Sequence, residues 1–195
     1  MKPSSDVAFT PSVKALQARH GSRAAYAKLE ARGGFPQDLD EDALSFIAQQ
    51  RSCFLATASA EGQPYIQHRG GPPGFLHAVD RRTLAFADFR GNKQFISVGN
   101  LAENAKVHLF LIDYATRSRV KIWGTAKVVE HPAEIAALGL DATNAERALV
   151  IHIDAWDENC PQHIPLRVDA EDVARVLAER DARIAELERR LAERG

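Results

Sequence analysis

Three regimes of hydrophobic and polar patterning divide the chain. Up to residue 50, apolar side chains recur every three or four positions. Val13, Leu16, Ala24, Ala25, Tyr26 and Leu29 predict a helix over residues 12–31, stopped by Gly33-Gly34. Pro36 to Asp40 reads as a linker. Asp40-Glu41-Asp42 then opens a second helix, with Leu44, Ile47 and Ala48 on one face. Leading acids suit the positive end of a helix dipole. From Cys53 to Trp156 the period falls to two. Strands are predicted at 54–59, 65–69, 75–79, 84–87, 107–112, 120–129 and 149–156, separated by turns such as Glu61-Gly62 and the Gly/Pro run at 70–74. In the longest, Val120, Ile122, Gly124, Ala126 and Val128 alternate with Lys121, Trp123, Thr125 and Lys127. Helical spacing returns briefly at 93–101 (Phe95, Val98, Leu101) and at 133–140. Strands joined mostly by short turns predict a mainly β, α+β fold, an antiparallel barrel or sandwich.

From residue 169 the pattern changes again. Ala170, Val173, Leu177, Ile184, Leu187 and Leu191 keep a three-four spacing, broken at Arg180. Glu171/Arg175, Glu179/Arg183 and Glu186/Arg190 are favourable pairs four apart. This predicts an amphipathic helix that either pairs with a partner subunit as a short coiled coil or lies across its own barrel. The expected organisation is a helical arm (1–50), a strand domain (51–168) and a C-terminal helix (169–195).

Composition narrows the class of protein. A chain of 195 residues suits one domain with a helical appendage. It holds 25 Lys+Arg and 26 Asp+Glu, a formal net charge of -1. No basic excess invites nucleic acid or anionic lipid. Cys53 and Cys160 make a disulfide framework unexpected and a reducing compartment the better fit. With no signal-like or membrane-length apolar run, a soluble cytoplasmic protein with neither nucleic-acid nor membrane partner is expected.

Four polar runs could carry chemistry. Gln67-His68-Arg69-Gly70-Gly71 ends an otherwise apolar strand. Arginine offers a fork of donors to phosphate or carbonyl oxygens, and glycine lets backbone approach a flat ligand. A polar edge strand before a loop has the same composition. Asp88-Phe89-Arg90-Gly91-Asn92-Lys93-Gln94 leaves a strand and turns, with Ser97 following. Asn92 is expected to cap the next helix, whose first N–H groups would attract phosphate. An ordinary capped helix with a solvated basic turn is the plainer alternative. Arg119 and Lys121 share one face with Trp123, a face that could meet solvent, a subunit or a ligand. Cys160, Gln162 and His163 lie between Pro161 and Pro165. Lacking a second ligand pair, they do not form a structural zinc site.

The order and spacing of ATASAEGQPYIQHRGG, LAFADFRGNKQFISVGNLAEN and VHLFLIDYATRSRVKIWGTAKVVE resemble the pyridoxamine 5'-phosphate oxidase-like FMN-binding split-barrel family. WDENCPQHIP resembles a bacterial subgroup of it. The resemblance spans about residues 40–167. It implies a split antiparallel β-barrel of six or seven strands, a homodimer, and FMN in clefts at the dimer interface. It implies that Gln67, His68, Arg69 and Gly70 line the flavin, and that the run Asp88, Arg90, Gly91, Asn92, Lys93, Gln94 and Ser97 serves the phosphate. Arg119 and Lys121 would reach the flavin from the partner subunit, and Gln162 and His163 would approach it from the C-terminal segment. Two departures matter. The oxidase's Arg-Lys pair on the phosphate loop is here Gly91-Asn92-Lys93-Gln94, and its Arg-x-His substrate signature is here Cys160-Pro161-Gln162-His163. FMN binding is therefore implied more strongly than pyridoxamine phosphate oxidation. The expected function is an FMN oxidoreductase taking a small-molecule substrate or an electron donor such as NAD(P)H. The alternatives are a non-catalytic flavin- or haem-binding module and a deazaflavin-dependent reductase.

Overall fold

The computed structural model describes residues 2–159 and 162–193. A 3-10 turn (Ser4–Val7) leads into α1 (Pro11–Arg19), α2 (Arg23–Ala31) and α3 (Glu41–Gln49). Then come β1 (Ser52–Ala58), β2 (Pro64–Gly70), β3 (His77–Asp80), β4 (Thr83–Phe89), α4 (Ile96–Glu103), β5 (Lys106–Asp113) and β6 (Ser118–Val129). The chain ends in α5 (Pro132–Ala137), β7 (Ala145–Asn159) and α6 (Ala170–Ala192).

The seven strands form one sheet in the order β2-β1-β5-β6-β7-β4-β3. The pairs β1–β2, β1–β5, β3–β4, β4–β7 and β6–β7 are antiparallel. Strands β2 and β3 are the two edges and do not pair, so the barrel is split rather than closed. Side chains close the curl instead. Arg69 on β2 forms an ion pair with Asp88 on β4, although β1, β5, β6 and β7 stand between them in the sheet.

Alternation builds the core. Cys53 and Leu55 of β1, Val107, Leu109 and Leu111 of β5, and Val120 and Ile122 of β6 are buried on the concave face. They meet Phe86 of β4, Leu149, Ile151 and Ile153 of β7, and Ala43 and Ile47 of α3. A smaller cluster joins Ala85, Val129, Ala148 and Val150 to Ile135 of α5 on the other face. Strands β4 and β7 are thus covered on both sides, which is why their sequences run apolar without clean alternation.

Several elements differ from the sequence reading. The helix expected over 12–31 is two helices, because Gly21 (φ 81) enters the left-handed region behind α1 and ends it. Helix α3 starts where expected, with the Asp40 carboxylate accepting from Ala43 N at 2.8 Å. Its buried face is Ala43 and Ile47, while Ala48 is exposed. Strand β3 is shifted toward residue 80, and β7 begins four residues before the expected 149. Helix α4 begins only at Ile96, with Phe95 (φ 54) at its N-cap. Asn92 therefore does not cap it; the Asn92 Oδ1 accepts from Gln94 N at 3.2 Å inside the preceding turn.

The arm is tied to the strands. Phe35 stacks on Trp123 of β6 at 5.5 Å, and Trp156 Nε1 of β7 donates to Asp38 O at 3.1 Å. Among the described residues, those up to 112 and from 119 to 159 form one compact unit, and 113–118 with those from 162 onward form a second. In the second, Arg167 N donates to Tyr114 O at 3.4 Å and its guanidinium lies 4.6 Å from the Tyr114 ring centre. Among the described residues no helix is long and apolar enough to cross a membrane.

Candidate functional site

The site arises where the two ends of the curled sheet approach each other. On β2, Tyr65, Gln67 and Arg69 are half-buried, while Ile66, His68 and Gly70 point the other way and are exposed. The first set is opposite Thr57, Leu55 and Cys53 of β1, on the concave side. Across from it lie the buried Asp88, next to last in β4, and Glu146 and Arg147, which follow Ala145 at the start of β7. The turn 89–95 and the start of α4 complete an open cleft.

Charge organises the floor. One Asp88 carboxylate serves two arginines: Arg69 Nη1 on Oδ1, and Arg147 Nη1 on Oδ2 at 3.3 Å. Arg147 also reaches Glu146 at 2.8 Å. The guanidiniums lie over apolar rings, Arg69 at 5.7 Å from the Phe86 centre and Arg147 at 5.2 Å from that of Phe95. With Lys93 in the wall, the lining carries three cationic and two anionic side chains and so keeps one positive charge. The Nε groups of Arg69 and Arg147 are buried without a hydrogen-bond partner. Arg147 Nε lies 3.9 Å from a Glu130 carboxylate oxygen, beyond hydrogen-bond reach.

The wall is an unusual turn. Lys93 (φ 61) and Phe95 (φ 54) both adopt the left-handed region. Side chains rarely accept this conformation, and such strain concentrates at ligand clamps. Behind the turn, Ser97 Oγ donates to Gln67 Oε1 at 2.8 Å, and Asn100 Nδ2 donates to Thr57 Oγ1 at 2.9 Å. These bonds pin α4 to β2 and β1 and hold the cleft at a fixed width. Phe89 and Phe95 stay exposed at its mouth. Cys53 lies beneath, paired in register with Arg69; burial pushes its thiol up to about 12 despite the Arg69 charge, so it is an inert packing residue.

Of the residues expected from sequence, the fold brings Gln67, Arg69, Asp88, Gly91, Asn92, Lys93, Gln94 and Ser97 to this cleft. It does not bring His68, Gly70, Arg119 or Lys121 there. His68 packs edge-on against Phe54, 5.7 Å away, on the convex side. Lys121 binds Asp157 at 2.9 Å and lies over Trp123, and Arg119 shares its side of β6. Near them, burial and then the Lys121 charge lower the pKa of His108. Arg90 is exposed next to the wall without lining it. Gly71 leaves room for Phe75, whose Cβ lies 2.6 Å from where a Gly71 Cβ would be. Gln162 and His163 (φ 66) are exposed in the second unit, and Cys160 lies outside the described residues.

Sequence reasoning missed Arg147, Glu146, Tyr65 and Phe95 as site residues. The signal for Arg147 was a charged residue two before an apolar strand, hidden because that strand seemed to begin at Leu149. Among the described residues no cluster of three or more His, Cys, Asp or Glu side chains could hold a metal ion.

A split antiparallel barrel with a cationic cleft across its seam defines the class of protein. The profile of the pyridoxamine 5'-phosphate oxidase family matches residues 39–160, well over half of the chain, and the chain belongs to that family. Solved structures agree on the fold. HupZ from Group A Streptococcus superposes with a TM-score of 0.51 at 18% identity, over 67% of this chain and 99% of its own. A Lactobacillus delbrueckii protein named with the pyridoxamine 5'-phosphate oxidases gives 0.50 at 21% identity, over 63% and 95%. No curated protein matches the chain.

Proposed function

We propose that this chain is an FMN-binding flavoprotein, an oxidoreductase that works as a homodimer and holds the FMN phosphate in the cleft. The observation that carries the reading is the convergence of Arg69, Arg147 and Lys93 beside a left-handed turn, in a lining with one net positive charge. A phosphomonoester carries about -1.5 to -2 charges and three acceptor oxygens, which suits this donor set. Family membership supports the same assignment.

In this reading the chain's residues bind and orient. Lys93 and Arg69 neutralise the phosphate, and Asp88 keeps both arginines from turning into solvent. Gln94 and Asn92 offer amide donors at the wall. Gln67 has its carbonyl oxygen occupied by Ser97, so its amide N–H groups face outward to a ring carbonyl. Flavin, when bound, supplies hydride or electron transfer.

Titration with FMN tests this. A charge-assisted hydrogen bond contributes about 1.5–3 kcal/mol, so Arg69→Ala should bind FMN roughly ten- to a hundredfold more weakly, and Asn92→Ala several-fold. Unchanged affinity in both variants would reject the placement. The absorption spectrum of the purified protein, followed by anaerobic NADPH addition, reads whether the bound group is a flavin and whether it is reduced.

The convex face supports the dimer. Ile66 is 62% exposed there, beside Phe54, His68 and Phe110 at facing register positions. Arg119 and Lys121 stand on this same convex side, so they would reach only the cleft of a second copy; Gln162 and His163 are proposed to join them. Ile66→Glu places a charge in that contact and should shift the protein from dimer to monomer at micromolar concentration in sedimentation velocity. A dimer unaffected by this change would place the contact elsewhere.

A further inference from the structure

Helix α6 is a 23-residue helix with no buried residue. Its apolar side chains are widely exposed, from 42% at Val173 to 71% at Leu191. They fall in a heptad. Leu177, Ile184 and Leu191 recur every seven residues, and Val173, Arg180 and Leu187 form a second series three residues after Ala170, Leu177 and Ile184. One apolar seam of this kind is the signature of a helix that packs against another helix.

The charges beside the seam select the partner. The positions just before the first series carry Arg183 and Arg190; those just after the second carry Asp181 and Glu188. Over these last two heptads one flank is basic and the other acidic, while Val176 and Ala174 hold the corresponding positions of the first. When two such helices run parallel and in register, the basic flank of each meets the acidic flank of the other. Arg183 of one copy then faces Glu188 of the other, twice by symmetry. When they run antiparallel, like flanks meet, arginine against arginine and carboxylate against carboxylate. Arg180, the one charged residue in the seam, meets Arg180 of the second copy in a parallel, in-register pair, and each is countered by the Asp181 that packs beside it from the other helix. Within a single chain, Arg183 and Arg190 both turn to Glu186, which leaves Glu188 available.

We infer that α6 is a parallel, in-register coiled-coil strand whose partner is α6 of a second copy of this chain. Three heptads are marginal alone, so the pair acts together with any other contact between the copies, at the high effective concentration such a contact supplies. The inference stands whether or not the cleft binds a flavin.

Cysteine crosslinking of the full chain tests it. In a Cys160→Ser background, Leu191→Cys places a thiol on the seam and Ala182→Cys places one on the opposite side of the helix. In a parallel pair the two residue-191 thiols are neighbours; in an antiparallel pair they are about 30 Å apart, at 1.5 Å rise per residue. Under mild oxidation Leu191→Cys should form a covalent dimer at least about tenfold faster than Ala182→Cys. Arg183→Glu or Glu188→Arg added singly should slow that crosslinking several-fold, and the two together should restore it, because the exchanged pair is again opposite in charge. Thermal melting of each variant checks that the barrel is intact. Equal rates at 182 and 191, a mixed 173–191 crosslink without a 191–191 one, or charge reversals with no effect would each overturn the proposal.

Discussion

Replacing Asp88 with alanine is expected to destabilise the protein by about 3 kcal/mol, near the low end for a broken buried ion pair. The carboxylate side chain is 8% exposed, and the arginines it holds are 17% and 12% exposed. Removing it leaves Arg69, over the Phe86 ring and largely out of water, without its counter-ion, while Arg147 keeps Glu146 at 2.8 Å. Because both keep some solvent, the upper end of that range is not reached. For a chain of this length, about 3 kcal/mol lowers the melting temperature by roughly 6–12 °C. Asp88→Asn keeps an acceptor for one arginine and should cost less. Thermal melting followed by circular dichroism reads both. The same contact joins β2 to β4 across the split, so the loss is expected in the barrel and not in α6. If Asp88→Ala melts with the native protein, the shared carboxylate does not hold the seam.

Gly124→Ala is the second large effect. Gly124 is buried on β6, beside the register shift where the pairing with β7 passes from Trp123–Ala155 to Gly124–Ile153. A Cβ at residue 124 would lie 2.3 Å from the His152 carbonyl oxygen and 3.3 Å from Ile151 Cγ2. The obstacle is backbone in the central pair of the sheet, so relief requires the two strands to part. Overpacking costs about 1–3 kcal/mol where side chains can shift, and the upper end or beyond is expected where backbone must. Gly99→Ala is the matched control. It lies within α4 with nothing within 4 Å of the added carbon, and should stabilise by about 0.5–1 kcal/mol. Urea unfolding of the two variants should move the midpoint in opposite directions. A Gly124→Ala protein as stable as the parent would show that β6 and β7 are not in this close contact.

What could be read from the chain alone is what is local or periodic. The seven strands, the start of α3 and the exposed seam of α6 follow from alternation, from acids that lead a helix, and from spacing along one helix. Order and spacing of the motifs also sufficed to mark the family. The limits of that reading are physical too. Gly21 splits the first helix because a left-handed residue interrupts a pattern whose apolar spacing survives the break. Asn92 has a cap's chemistry, but the two left-handed residues after it delay the helix to Ile96.

The tertiary structure alone decided which polar residues share a site. Alternation on β2 sends Arg69 inward and His68 outward, though they are adjacent in sequence, and no composition distinguishes them. Strand order decided the rest. Asp88 is 19 residues from Arg69 and 59 from Arg147 along the chain, yet the three meet because a sheet split at β2 and β3 curls until its ends face each other. The position of one strand in a sheet depends on non-local pairing, which leaves no trace in any single segment. Hence the cationic cleft could be suspected from two basic turns, while its floor, the shared carboxylate under two arginines, emerged only from the fold.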